Sequence, residues 1–200
     1  MKTQDGCNIV PIGKLAEEMV ISSFSYWDSV DQYQVRNFSD AWMSILPDHK
    51  IIGPGDAASL ITHYFEDSPQ YLDAFSSIRI PAAKSDIARY LALYRFGGLY
   101  MDVHFGYHSQ PDVEAFLAST AQHDAMLVNV AVPTPQRISA PVRVINGLII
   151  CKPEHPLLFS AAKTALENVS RKKIREKMVG YEPYNIFSMT GPGLLNEVFF

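Results

Sequence analysis

Cysteine is nearly absent. Cys7 and Cys151 are the only two in 200 residues, too few for a disulfide framework or a cysteine-rich zinc site. Two free thiols in a reducing compartment are the expectation, with a single bridge as the alternative. Long apolar runs are missing too. No stretch approaches the roughly 18 residues of a membrane span, and Met1–Gly6 lacks the hydrophobic run of a secretory leader. A cytoplasmic protein without a transmembrane segment is therefore expected. Neither sign of charge dominates: 17 basic and 21 acidic residues give a net charge of −4. A broad phosphate-neutralising surface needs more cations than this, so a nucleic acid is not expected as partner. Proline and glycine, 13 and 11 of them, follow no period, which excludes collagen-like and low-complexity chains.

What is present suffices for a core. Hydrophobic residues make up 48% and charged residues 19%, the balance of a globular chain rather than a disordered one. There is no internal repeat and no linker-like tract, so residues 1–200 read as one domain. The finish at Gly193–Phe200 is apolar and uncapped, which suggests a truncated piece or a domain incomplete at its C-terminus. Strands are expected over Met19–Phe24, Lys50–Gly53, Ala125–Val132 and Val142–Cys151. Helices are expected over about Asp31–Leu46, Gly55–Phe65, Pro69–Phe75 and His155–Met178.

The clearest helix starts at Pro81, since a missing N–H costs nothing at a first helical position. It runs to Phe96, with Ile87, Leu91 and Tyr94 on a buried stripe. Gly97 suits its end, and Gly98 releases the chain into Leu99–Phe105. That run alternates, with Leu99, Met101 and Val103 on one face and Tyr100, Asp102 and His104 on the other. Helices alternating with buried-looking strands predict an α/β layered domain with a mostly parallel central sheet.

Two groups in this region can carry chemistry. Asp102 and His104, two apart on a strand, would emerge together and offer an oxygen and a nitrogen to one divalent ion such as Mn²⁺. The plain alternative is a polar pair on a solvated strand end. Asp86 and Arg89, three apart, are adjacent on one helix face, and can be no more than an intrahelical ion pair. The short Gly97-Gly98 connection nevertheless packs this helix against the strand and can bring all four groups to one end.

Residues 83–104, with Ser85-Asp86-x-x-Arg89-Tyr90, Gly97-Gly98 and Asp102-x-His104 in this order and spacing, resemble the signature of the glycosyltransferases with a DXD-containing sugar-binding region. That family includes mannosyltransferases, bacterial capsular and lipooligosaccharide transferases, and the catalytic domains of large clostridial glucosylating toxins. Weaker similarity lies in Trp42 with Pro47-Asp48, in Asn146–Ile150 with His155-Pro156, and in Thr190-Gly191-Pro192. The resemblance implies a GT-A-type, Rossmann-like fold, a nucleotide-diphosphate-sugar donor, a glycan or other hydroxyl acceptor, and Mn²⁺ or Mg²⁺. It implies retention of anomeric configuration. It places Asp86 and Arg89 on the donor sugar, Asp102 with Tyr100 on the donor, His104 on the metal, and Trp27, with Tyr26, against the base. His104 departs from the family's usual aspartate. An imidazole can ligate Mn²⁺, so a competent transferase is expected. The alternative is a nucleotide-sugar or glycan-binding module with the same fold and reduced turnover.

Other features are less specific. His108 can be a further ligand or a loop histidine, and His155 suits a helix start. Asn146-Gly147 can approach donor or acceptor, or mark a turn or bulge. The basic run Ser170–Lys177 is a solvated face or a peripheral contact with anionic lipid or polymer. No nucleophile elbow, P-loop or His-Glu-x-x-His is present.

Overall fold

Helices and strands alternate through residues 22–29, 35–129 and 144–199, the residues described in the computed structural model. In chain order they are β1 (Ser23–Tyr26), α1 (Arg36–Met43), β2 (His49–Ile52), α2 (Pro54–Tyr64), α3 (Gln70–Ser77), α4 (Pro81–Phe96) and β3 (Gly98–Met101). There follow α5 (Gln110–Thr120), β4 (Ala125–Asn129), β5 (Val144–Cys151), α6 (Pro156–Val179), α7 (Ile186–Met189) and α8 (Pro192–Phe199).

The strands form one sheet in the order β2-β1-β3-β5-β4. β1 pairs in parallel with β2 and with β3, and β5 runs antiparallel to both β3 and β4. The α/β layering is as expected, and the sheet is mixed rather than mostly parallel, because β5 enters from the opposite end. From β1 the chain goes out to β2, then returns to the other side of β1 as β3. Parallel strands that diverge this way leave a crevice at their carboxyl ends, where α/β sheets bind ligands.

Each face of the sheet carries its own core. Tyr100 packs with Phe24, Ile87, Leu91, Leu158, Leu166 and Leu194, so α2, α3, α4, α6 and α8 share one side. Leu99, Met101 and Ile150 pack with Trp42, Leu46 and Val113, which puts α1 and α5 on the other. The alternation expected in β3 is thus observed, and it sends Tyr100 toward α4.

The double glycine is required by contact and by conformation. Gly97 has φ +63° and Gly98 φ +88°, a region that other residues rarely enter. A Cβ on Gly98 would lie 1.9 Å from the Ser22 carbonyl oxygen. This close approach brings β3 in beside β1 directly from α4.

Several sequence expectations need correction. β3 ends at Met101, not Phe105, and residues 103–104 form a turn closed by the Phe105 N–H on the Asp102 carbonyl at 2.9 Å. β1 covers Ser23–Tyr26, and residues 19–21 of the expected first strand lie outside the described residues. The apolar finish is helical: α8 buries Leu194 and Leu195. Cys151 is a buried free thiol whose burial pushes its pKa up to about 12; Cys7 lies outside the described residues.

A buried histidine ties β1 to β2. His49 is 2% exposed, with Nδ1 3.1 Å from Ser23 Oγ and Nε2 3.3 Å from Ser25 Oγ. Ser25 donates its hydroxyl hydrogen to the Met101 carbonyl at 2.7 Å. It therefore accepts from His49, which fixes the proton on Nε2. Burial lowers the His49 pKa from 6.5 to about 4. The unfolded chain takes up this proton first, so the contribution to stability is complete above pH 6.5 and declines as pH falls from 6.5 toward 4. The expected loss is about 3 kcal/mol by pH 4. Thermal melts between pH 7.5 and 4 measure it, and His49→Gln should flatten that part of the profile.

Candidate active site at the β1/β3 crevice

The site lies where the carboxyl ends of β1 and β3 meet the first turns of α4. β1 ends in Tyr26, and Trp27 and Asp28 follow. The Tyr26 hydroxyl donates to Asp28 Oδ1 at 2.7 Å, and Lys84, in the first turn of α4, pairs with Asp28 at 3.3 Å. Trp27 is half-buried beside them, with its backbone N–H on the Ile52 carbonyl at 3.0 Å.

Arg89 is the centre of the arrangement. One turn of helix separates it from Ser85, so its Nε reaches the Ser85 carbonyl and its Nη2 the Ser85 hydroxyl, at 3.3 and 2.8 Å. Nη1 donates to the Asn146 carbonyl at 2.5 Å. Nη2 also faces two carboxylates, Asp102 Oδ1 at 3.1 Å and Asp86 Oδ1 at 3.3 Å. The guanidinium lies 4.6 Å over the Tyr100 ring, close enough for a cation–π contact. The Tyr100 hydroxyl donates to Asp102 Oδ1 at 3.0 Å and therefore accepts from Ser85 Oγ at 2.9 Å. Asp102 is thus held through one oxygen by two donors rooted in α4 and β3.

Asp86 is fastened separately. Asn146 Nδ2 donates to its Oδ1 at 2.8 Å and Thr190 Oγ1 to its Oδ2 at 2.9 Å. Asn146 also donates to the Tyr90 hydroxyl at 3.0 Å, and Tyr90 donates to the Thr190 carbonyl at 2.9 Å. Burial pushes the Asp86 carboxyl up, outweighing the pull of Arg89, Thr190 and Asn146 in the other direction. Burial likewise raises the Tyr90 and Tyr100 hydroxyls, so both stay protonated as donors.

The expected residues therefore divide. Asp86, Arg89, Tyr100 and Asp102 come together as one network. Asp86 and Arg89 are each 4% exposed, with their polar atoms engaged by the protein. The Asp102 side chain is 38% exposed and is the one that opens the network to the crevice. His104 does not join it. The expected shared strand face is lost because the chain turns after Asp102, and the exposed His104 ring meets the Phe38 ring edge-on at 5.8 Å. His108 is exposed, and His155 immediately precedes α6, as its helix-start reading predicted. Sequence reasoning assigned no role to Ser85, Thr190, Asp28 or Lys84. Thr190 did carry a signal, its Thr-Gly-Pro turn.

The donor set fits a divalent cation in part. Among the described residues nothing donates a hydrogen bond to Asp102 Oδ2. Gly147 leaves that oxygen clear, since a Cβ there would lie 2.7 Å from it. Oδ2 of Asp102 is thus the network's oxygen open to a cation. No cluster of three metal-binding side chains occurs among the described residues, so most ligands would have to come from substrate and water.

Residues 25–120 match the family described as glycosyltransferase sugar-binding region containing DXD motif. Three Saccharomyces cerevisiae proteins are similar in sequence. HOC1, by name a candidate glycosyltransferase, is 25% identical over 178 residues, which cover 84% of this chain and 44% of HOC1. The mannosyl phosphorylinositol ceramide synthase CSH1 is 26% identical over 178 residues, 83% of this chain and 40% of CSH1. A second mannosyl phosphorylinositol ceramide synthase, SUR1, is 25% identical over 139 residues, 66% of this chain and 32% of SUR1. The chain thus spans less than half the length of these relatives. Among solved structures, the PaToxG glycosyltransferase shares the fold with a TM-score of 0.51 at 14% identity, over 94% of this chain and 76% of that one.

Proposed function

We propose, from the match of residues 25–120 to the glycosyltransferase sugar-binding region family and from the similar glycosyltransferases, that the protein transfers a sugar from a nucleotide-diphosphate donor to a hydroxyl of a glycan or other acceptor, with retention. The observation that carries this reading is the placement of Asp102, held by Arg89 and Tyr100, at the crevice between the parallel strands β1 and β3.

The donor's base would lie against the half-buried Trp27 at the end of β1, with its diphosphate toward Asp102; Tyr26, expected beside it, is buried in the core. Asp102 Oδ2 would hold Mn²⁺ or Mg²⁺, with the other ligands supplied by the donor diphosphate and water. Bound there, the metal would act as a Lewis acid for the charge that develops on the leaving phosphate. Arg89 fixes Asp102 in place and offsets part of its charge. Asp86, expected on the donor sugar, is instead buried with its oxygens engaged by Asn146, Thr190 and Arg89. It acts through Arg89, holding the guanidinium that positions Asp102; positioning of this kind is one way to lower a barrier.

The test is nucleotide release from a panel of UDP- and GDP-sugars, with Mn²⁺, with Mg²⁺ and with chelator. Two relatives are named mannosyl phosphorylinositol ceramide synthases, so GDP-mannose is the first donor to try. Free nucleotide should appear with metal and fall to background with chelator. The placement of His104 against Phe38, away from the network, favours a second reading, a nucleotide-sugar-binding module with reduced turnover. Tight donor binding without release, even with acceptor lysates, would select it.

A further inference from the structure

α6 outruns the core that it serves. Leu158, Ala161, Ala162, Ala165, Leu166, Val169 and Lys172 are its buried face, at the spacing of one helix side. Beyond them the helix continues with Ile174, Met178 and Val179 at 60%, 80% and 70% exposure, and Tyr181 follows at 84%. Ile174 and Met178 are four apart and so share one outward surface. Arg171 and Lys177, each three from Ile174, border it. Over residues 170–182 there are five cationic and two anionic side chains, in a chain whose net charge is −4.

This cationic excess is not cancelled locally. Arg171 pairs with Glu167 at 3.1 Å, Lys172 with Glu176, and Arg175 with Glu182 at 2.5 Å. Lys173 instead donates to the Asp73 carbonyl at 3.1 Å, which leaves its charge unneutralised. Lys177 has no carboxylate partner among the described residues.

We infer that the last turns of α6, with Tyr181, are a docking surface for an anionic lipid bilayer. Apolar side chains on a helix bordered by lysine and arginine suit the boundary between headgroups and acyl chains, where lysine and arginine stems extend to the phosphates. The lysines disfavour a protein partner, because lysine is depleted where apolar protein interfaces form. The helix would lie on the bilayer rather than cross it: among the described residues no helix is long and apolar enough to span a membrane.

The placement suits this role. α6 starts beside the end of α4, where the Glu154 N–H meets the Tyr94 carbonyl at 2.6 Å, and runs back toward the carboxyl end of β3. Asn168 donates to the Met189 carbonyl at 3.1 Å, next to the Thr190 that fastens Asp86. Residues 169–179 continue α6 for about 16 Å of helix beyond Asn168, from the end of the molecule where Thr190 meets Asp86. On the transferase reading above, docking there would hold the site near acceptors displayed on a membrane.

Vesicle co-sedimentation of the full chain, without donor or metal, tests the inference separately from the transferase reading. Vesicles of phosphatidylcholine with phosphatidylserine should pellet the protein, pure phosphatidylcholine vesicles should not, and added salt should release it. Lys173→Gln with Lys177→Gln should weaken partitioning about tenfold or more, at roughly one lipid-facing charge each. Ile174→Ser with Met178→Ser should weaken it as well, with unchanged thermal melts because both side chains are exposed. Absence of pelleting at low salt, or equal pelleting of both variants, overturns the inference. So does concentration-dependent self-association abolished by Ile174→Ser with Met178→Ser, which would make the surface a contact between copies.

Discussion

Asp102→Asn lowers metal-dependent nucleotide release by about 10²–10³-fold, the scale on which a single electrostatic contributor at a reacting centre acts. The amide keeps the volume of the carboxylate and can still accept from Tyr100 and Arg89 through its carbonyl oxygen, so folding should be little changed. What disappears is the charged Oδ2 that Gly147 leaves uncovered. His104→Asp provides the contrast. A carboxylate two positions on can also ligate a divalent cation, so this variant should keep or raise activity if position 104 faces the metal during turnover. Release assays on purified variants, with thermal melts as the control for folding, measure both. Undiminished release from Asp102→Asn would place the metal elsewhere and remove the basis of the functional proposal.

Arg89→Met should cost about 3–5 kcal/mol, the penalty for removing one partner of a buried ion pair. Asp86 would stay buried with two neutral donors and no adjacent cation. At roughly 2–4 °C per kcal/mol for a chain of this size, the melting temperature should drop by about 10 °C. The sign of the pH dependence distinguishes this from lost packing. Burial already raises the Asp86 carboxyl, and Arg89 is the first influence that opposes it. Without Arg89 the folded-state pKa rises further. The variant should therefore be most stable below the ordinary carboxylate range and lose stability as pH rises through that folded value. Asp86→Asn added to Arg89→Met should recover part of the loss, a coupling that a double-mutant cycle reads directly. If the double variant is no more stable than the single one, the ion pair is not what Arg89 supplies.

Local chemistry made the centre of this site readable. Pro81, the apolar stripe, Gly97 and Gly98 mark α4 and its turn into β3, because a helix start, a buried face and positive φ each demand particular residue types. The pairing of Asp86 with Arg89 follows from helical spacing, and the approach of Asp102 follows from the short connection. Period-two alternation, however, is blind to where a strand ends. Leu99 through His104 alternate without a break, yet the turn after Asp102 redirects His104 toward α1. The partners of Asp86 escaped assignment for a different reason. Asn146 is 60 residues away and Thr190 is 104 away, and only the closing of β5 and α8 onto the core brings them in. Weak similarity at Asn146 and at Thr190-Gly191-Pro192 marked the positions without revealing what they touch.

The clasp between Thr190 and Asp86 has a consequence for how this architecture can be shortened or recombined. The matched region ends at residue 120, but the hydroxyl that secures its buried aspartate is contributed from far downstream. A fragment trimmed to the recognisable motif would lose one wall of its own pocket. Domain shuffling, in evolution or in the laboratory, has to carry the segment through α8 along with the motif or supply a substitute hydroxyl at the same place.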